Sequence, residues 1–189
     1  YTTLFRSDTV AVGLASEVAK VRSSFAGEIV ILSPDQNFSE MNDPKIIQTI
    51  SSIDLLQSID IATNIIIEIL TPMNRHGIDL SELTRALSIV NDRNLKLRGF
   101  AFHLPLAKID SGWVNSTLAN LPNGSTLWVS HLRDADKVKQ EFPGLIFRDR
   151  IGTALWLGAD SALEVTATVL ESRKVQGKAG YQQRPINGN

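Results

Sequence analysis

Asn64-Ile65-Ile66-Ile67-Glu68-Ile69-Leu70-Thr71-Pro72-Met73-Asn74-Arg75-His76-Gly77 is an apolar run that breaks abruptly into turn-forming and cationic residues. From Asn64 to Leu70 it lacks the alternation of a half-exposed strand. It reads instead as a strand covered on both faces, and such strands belong to parallel sheets flanked by crossover helices. Thr126–Ser130 has the same character. Outward from these two, short apolar runs mark strands at Thr9–Val12, Glu28–Leu32, Ile46–Ile50, Leu97–His103 and Arg150–Leu157. Leu14–Ser24, Leu80–Val90 and Asp134–Phe142 carry apolar residues at spacings of three and four, the mark of helices with one buried face. The alternation predicts an α/β fold, a (β/α)8 barrel with seven of its eight strands in view and no room for another before Thr9.

After Leu157 the pattern changes. Leu163-Glu164-Val165-Thr166-Ala167-Thr168-Val169-Leu170 alternates, and Gly177 and Gly180 follow as turn signals. This predicts a barrel domain over 1–160, incomplete at its N-terminus, and the start of a C-terminal β domain over 161–189. The tail from Arg184 to Asn189 reads as turn-rich and without a packed element, and the natural protein is expected to continue beyond it.

Composition narrows the function. The 189 residues are 43% hydrophobic, enough to bury a core and too many for a disordered chain. Nineteen basic against twenty acidic side chains, a net charge of -1, favour neither nucleic acid nor an anionic membrane as partner. The absence of cysteine removes disulfides, thiolate metal sites and cysteine nucleophiles together. No apolar stretch approaches the roughly 20 residues needed to span a bilayer, and no targeting segment is visible, so a cytoplasmic protein is expected.

In a parallel barrel the chemistry gathers where the strands end and the βα loops meet. Four polar places fall there: Thr71–Gly77, His103, Ser130-His131, and Arg150-Ile151-Gly152-Thr153. A lone His or Arg at a strand end is more often a satisfied structural group than a catalytic one. Four at one rim carry more weight, and Gly152-Thr153 offers backbone amides that an anion can approach closely. His76, His103 and His131 lack metal-ligand spacing, and neither a glycine-rich nucleotide loop nor a Gly-x-Ser-x-Gly elbow occurs. Trp113, Trp128 and Trp156 are dispersed and read as core.

Taken together these segments resemble the alanine racemase family, pyridoxal-phosphate enzymes built on a barrel. Ala11–Val18 is similar to the family's early strand and Glu-containing helix start, and Thr71–Gly77 to its Thr-Gly-Met-x-Arg-x-Gly core. Gly99–His103 resembles the strand ending in the active-site histidine. Arg150–Trp156 is similar to Arg-Pro-Gly-Ile-Ala-Leu-Tyr, and Val175–Tyr181 to Gly-Glu-x-Val-Gly-Tyr-Gly. The phrase from Arg150 to Gly158 looks most like an actinobacterial branch of racemase-like proteins. The resemblance implies that Arg150 faces the pyridine nitrogen, that Gly152, Thr153 and Ser130 hold the phosphate, and that His103 joins the hydrogen-bond network beneath the cofactor. It implies Arg75 near the carboxylate of an amino-acid substrate. Tyr181 is implied as one of two opposing acid–base groups, delivered to a partner subunit's site in a homodimer.

Three departures from the family pattern matter. The family needs a lysine at the end of its first barrel strand to carry the cofactor, and none of Lys20, Lys45, Lys96, Lys108, Lys137, Lys139, Lys174 and Lys178 stands in such a place. Glu68 stands seven residues before Arg75, where many racemases have a carbamylated lysine, and could orient the arginine with its own carboxylate; unchanged substrate KM in Glu68→Gln of the full-length enzyme would refute this. Pro72 replaces a glycine. The expectation is an intact enzyme that interconverts L- and D-alanine for peptidoglycan, from which these 189 residues alone are inactive. Three alternatives stand beside it: a non-catalytic pyridoxal-phosphate carrier or regulator, a basic-amino-acid decarboxylase on the same barrel type, and a barrel with no cofactor.

Overall fold

Seven strands form one parallel sheet in chain order, each joined to the next by a crossover, in a computed structural model that describes residues 7–34, 43–59, 63–152 and 177–186. They are β1 (Thr9–Val12), β2 (Glu28–Ile31), β3 (Ile46–Ile50), β4 (Asn64–Glu68), β5 (Lys96–His103), β6 (Thr126–Ser130) and β7 (Ile146–Asp149). The helices are α1 (Val18–Arg22), α2 (Ile53–Ser58), α3 (Leu83–Asp92), α4 (Ser111–Ala119) and α5 (Ala135–Glu141). The α/β class is the expected one, and the sequential strand order is that of a (β/α)8 unit. The chain divides into two compact units, 1–68 with 77–99 and 69–76 with 100–189.

In the first unit β1, β2, β3 and β4 pair in parallel in that order. Every residue of β3 is buried, and so is β4 after Asn64. Continuous burial is why these strands show no alternation in sequence. Gln48, a polar residue inside β3, is satisfied by donating to the Ser33 carbonyl at 2.9 Å. Helix starts are locally specified: the Ser52 side chain accepts from the Leu55 amide before α2, and that of Asp79 accepts from the Ser81 amide ahead of α3. Leu83, Ala86 and Val90 then form the buried stripe of α3. At the opposite end of the strands Arg98, early in β5, forms an ion pair with Glu28 of β2. Those strands are three spacings apart, roughly 14 Å in a flat sheet, so the direct pair marks a sheet that curls.

In the second unit the end of β5 pairs with β6 and β6 with β7, with His103 opposite Ser130 and Val129 opposite Asp149. Phe100, Phe102, Leu127 and Val129 of the strands are buried, as are Val114 and Leu118 of α4 and Val138 of α5. The Asp110 side chain caps α4 by accepting from the Gly112 amide. Trp128 is buried beneath the Arg148 guanidinium at 4.9 Å, and Trp113 packs 6.1 Å from Phe102. Trp156 lies outside the described residues.

Several sequence expectations are corrected. The seventh described strand is Ile146–Asp149; of the expected Arg150–Leu157, residues 150–152 are not strand and the rest lies outside the described residues. Its residues are half-exposed or exposed, so it lacks the apolar run by which a buried strand is recognised. The described tail is not free of ordered elements: β8 (Gly177–Ala179) and β9 (Arg184–Ile186) form an antiparallel hairpin. Helices α2 and α4 were not among the stretches marked by spacing. The alternating run Leu163–Leu170 lies outside the described residues, as does Thr153.

Candidate functional site

Three of the expected site residues stand at the carboxyl ends of neighbouring strands. His103 ends β5, Ser130 ends β6 and Arg150 follows β7, its amide donating to the Val129 carbonyl at 2.7 Å. Parallel pairing in register brings these ends side by side, which is why residues distant in sequence meet. The Arg150 side chain links them. Its Nε donates to Ser130 Oγ at 3.0 Å and its Nη2 to His103 Nδ1 at 2.9 Å.

A guanidinium only donates, so His103 Nδ1 presents its lone pair and the imidazole proton sits on Nε2. That nitrogen meets the Tyr181 hydroxyl. The neutral tautomer is enforced: burial first, then the charges of Arg75 and Arg150, with His131 and His76 adding to them, hold the His103 pKa down at about 3. Thr71 secures the strand end, its hydroxyl donating to the His103 carbonyl at 2.8 Å.

Tyr181 lies in the β8–β9 turn, and the Thr71–His76 loop holds that turn. The Gly180 amide donates to the Met73 carbonyl at 2.9 Å, and Gln183 Nε2 donates to the Pro72 carbonyl at 2.9 Å. Asn74, in the left-handed region at φ 52°, donates to the Lys178 carbonyl at 3.2 Å. The Tyr181 carbonyl accepts from the Ala107 amide at 3.1 Å. The sequence expectation assigned Tyr181 to a partner's site; in this single chain its hydroxyl meets His103 of the same chain.

Arg75 is exposed, yet close enough for its charge to act on His103. Gly152 is exposed too, and a Cβ there would meet no protein atom within 4 Å, so the space beside its backbone is open. Glu68 closes β4 in the other unit and is 3% exposed. Among the described residues no lysine amine bonds to His103, Ser130, Arg150 or Tyr181; Lys45 and Lys139 are engaged with Ala26 and Asp149. No group of three His, Asp or Glu suited to a metal occurs among them, and no described helix is long and apolar enough to cross a membrane.

One participant was under-read from sequence. His131 adopts a left-handed backbone at φ 61° and sets its ring edge-to-face against both His103, at 5.8 Å, and Tyr181, at 5.6 Å. Burial and the Arg150 charge lower its pKa. The Ser130-His131 pair after a strand located it, but a positive φ leaves no trace in sequence at a histidine.

The family model for the alanine racemase N-terminal domain matches residues 3–140. Arg75, His103 and Ser130 fall inside that stretch, Arg150 and Tyr181 beyond it. Among solved structures, the crystal structure of alanine racemase from Corynebacterium glutamicum is similar, with a TM-score of 0.56 and 17% sequence identity. The similarity covers 75% of this chain and 46% of that one, so the chain spans less than half of that enzyme. At such identity the likeness concerns the fold. No curated protein sequence matches. Because the family match takes in well over half of its residues, the chain belongs to the alanine racemase N-terminal domain family.

Proposed function

We propose that the chain is the pyridoxal-phosphate-binding part of an alanine racemase-like isomerase. In its intact form the enzyme would interconvert L- and D-alanine in the cytoplasm, as a homodimer, supplying peptidoglycan synthesis. On this reading 1–160 belong to the barrel and 161–189 open a β domain. The observation that carries it is the connected row Ser130, Arg150, His103 and Tyr181 along adjoining strand ends.

The residues suit the non-covalent part of the cofactor. Ser130 Oγ accepts from Arg150, which leaves its own hydrogen to donate to a phosphate oxygen. The charge reaching His103 is positive, from Arg75 and Arg150, as a site for a phosphate and a carboxylate requires. Open space lies beside Gly152 for close approach. Ser130, Gly152 and Thr153 would hold the phosphate. Arg150, with two of its five N–H groups on His103 and Ser130, would face the pyridine nitrogen and, being always charged, leave it unprotonated. Pyridoxal phosphate, when bound, supplies the electron sink that acidifies a substrate α-carbon. Arg75 would bind the substrate carboxylate. Tyr181 Oη accepts the His103 Nε2 proton as a hydrogen bond and keeps its own hydrogen for exchange at the α-carbon, with His103 holding the phenol in place.

Racemisation also needs an amine to carry the cofactor, and by sequence none of these lysines is expected at such a place. Binding without turnover is therefore expected of the 189 residues. The lysine deficit favours the second reading, a non-catalytic binding barrel; Tyr181 speaks against it, because a carrier has no use for a positioned acid–base phenol.

Pyridoxine 5'-phosphate, which lacks the aldehyde and so cannot react with surface lysines, tests the site through quenching of tryptophan fluorescence. Saturable binding, competed by inorganic phosphate and weakened about a hundredfold by Arg150→Gln as the charge-assisted hydrogen bond to the ring nitrogen is lost, is the expected result. No binding, or equal binding by variant and wild type, would overturn the assignment.

A further inference from the structure

We propose that the cavity between α4 and α5 is a second binding site, for a small carboxylate with an apolar body. It opens where the loops after β5 and β6 leave the sheet, and its volume of about 440 Å³ falls within the roughly 300–1,000 Å³ of small-molecule sites. Leu104, Val114 of α4 and Val138 of α5 line it, and all three are buried, so part of its wall is apolar. A hydrocarbon body laid against that wall is removed from water together with it, which is the driving force for binding. Ser130, His103 and Arg150 do not line the cavity, so the site is separate from the row of strand-end groups and does not rest on the function assigned to that row.

The charged part of the wall names the head group. Three cations and three carboxylates stand there, and they differ in how far each is already engaged. The Asp110 carboxylate accepts from the Gly112 amide at 3.0 Å, where α4 begins. Glu141 accepts from Asn115 Nδ2 at 3.2 Å and faces Lys137 at 3.8 Å. Arg133 gives one Nη2 hydrogen to the Leu106 carbonyl at 2.8 Å, which holds its guanidinium against the loop that carries Lys108 and leaves its other N–H groups unspent. The Lys108 amine and the Asp134 carboxylate engage no other group among the described residues. Two cations against one carboxylate therefore remain uncommitted. That surplus is one positive charge, which a carboxylate neutralises and a phosphate dianion overshoots. The guanidinium fork of Arg133 matches a carboxylate in shape, and Lys108 adds a point charge. His131 also lines the cavity, and its ring meets that of His103 edge-to-face at 5.8 Å, so an occupant is sensed one ring away from the strand-end site.

Octanoate is the probe, with octylammonium and octan-1-ol as controls that keep the body and change the head. The chain has three histidines, His76, His103 and His131, so their ring resonances in NMR are few and each is assigned by substitution. Octanoate is expected to shift the His131 resonance saturably and to leave His76 in place, octan-1-ol to bind several-fold more weakly, and octylammonium not to saturate. Removing both head-group cations, Arg133→Gln with Lys108→Ala at exposed positions, is expected to weaken octanoate about tenfold. Val138→Phe, which fills the cavity from α5, is expected to abolish the shift; if that buried change unfolds the chain, the exposed double variant decides. No saturable shift of His131, equal affinity for octanoate and octylammonium, or unchanged affinity in the double variant would overturn the proposal. Arg150→Gln is expected to leave octanoate affinity as it is while impairing pyridoxine phosphate binding, so the two readings fail on different variants; loss of octanoate binding in Arg150→Gln would move the probe to the strand-end row and overturn the second site.

Discussion

Two arginines, one near each end of the strands, are used in opposite ways. Arg98, near the start of β5, forms an ion pair with the carboxylate of Glu28. Arg150, just past the end of β7, gives two N–H groups to neutral acceptors, the His103 imidazole and the Ser130 hydroxyl. The first arrangement cancels charge locally and joins strands that a flat sheet would keep apart. The second organises a hydrogen-bonded row, and its charge, with that of Arg75, adds to burial in holding His103 neutral. The ion pair ties strands together, and the two hydrogen bonds from Arg150 tie three strand ends into one row. This is the division expected of parallel barrels, whose amino-terminal ends serve stability and carboxyl ends chemistry.

The comparison can be broken in either direction. The largest effect on the structural side is expected from Ile67→Ala in β4, whose side chain is fully buried: a loss of about 2–5 kcal/mol in urea unfolding, with cofactor-analogue binding per folded molecule unchanged. Arg98→Met should cost about 1–3 kcal/mol by stranding the half-buried Glu28, again without touching the analogue. Arg150→Gln must show the reverse, a binding defect with a smaller stability change. Equal stability losses for Arg98→Met and Arg150→Gln would erase the distinction.

Acid sharpens it. His103 has a folded pKa far below its unfolded value of 6.5, so the unfolded chain binds the proton first. Stability from this group is complete above that pH and is lost as pH falls from 6.5 toward about 3. Thermal melting of His103→Gln should therefore show a flatter profile across that window. Asp79, whose pKa the Ser81 hydroxyl and amide lower, contributes above its ordinary value of 3.8 and fades only as pH drops through its depressed folded pKa. Asp79→Asn should leave the higher window unaltered. The smallest effect is expected from Ser130→Ala, about 1 kcal/mol in analogue binding from one neutral hydrogen bond.

How far the residues disclosed their arrangement depended on burial. β3 and β6 were delimited to the residue because a strand enclosed on both sides must be apolar throughout, and few other elements demand that of so short a run; β1 was too, although only Val12 of it is buried. β7 was displaced because a half-exposed strand imposes no such demand. The β8–β9 hairpin was missed because its strands are three residues each, too short for a periodicity to show. Among site residues, Arg75, His103, Ser130 and Arg150 were visible as polar interruptions at the ends of apolar runs. His131 was visible as a residue but not as a participant, since its role lies in a backbone angle.

What the linear order of residues determined by itself was the alternation of strand and helix, the parallel sheet and the end at which polar groups collect, all consequences of local burial and spacing. What only the tertiary structure decided was which of those groups touch: that Arg150 bridges Ser130 and His103, that the proton of His103 lies on Nε2, and that the Tyr181 hydroxyl meets that nitrogen. Such contacts join residues as far apart as 78 positions. Strand register, loop path and one left-handed turn place them, and these depend on the whole packed chain rather than on any window of it.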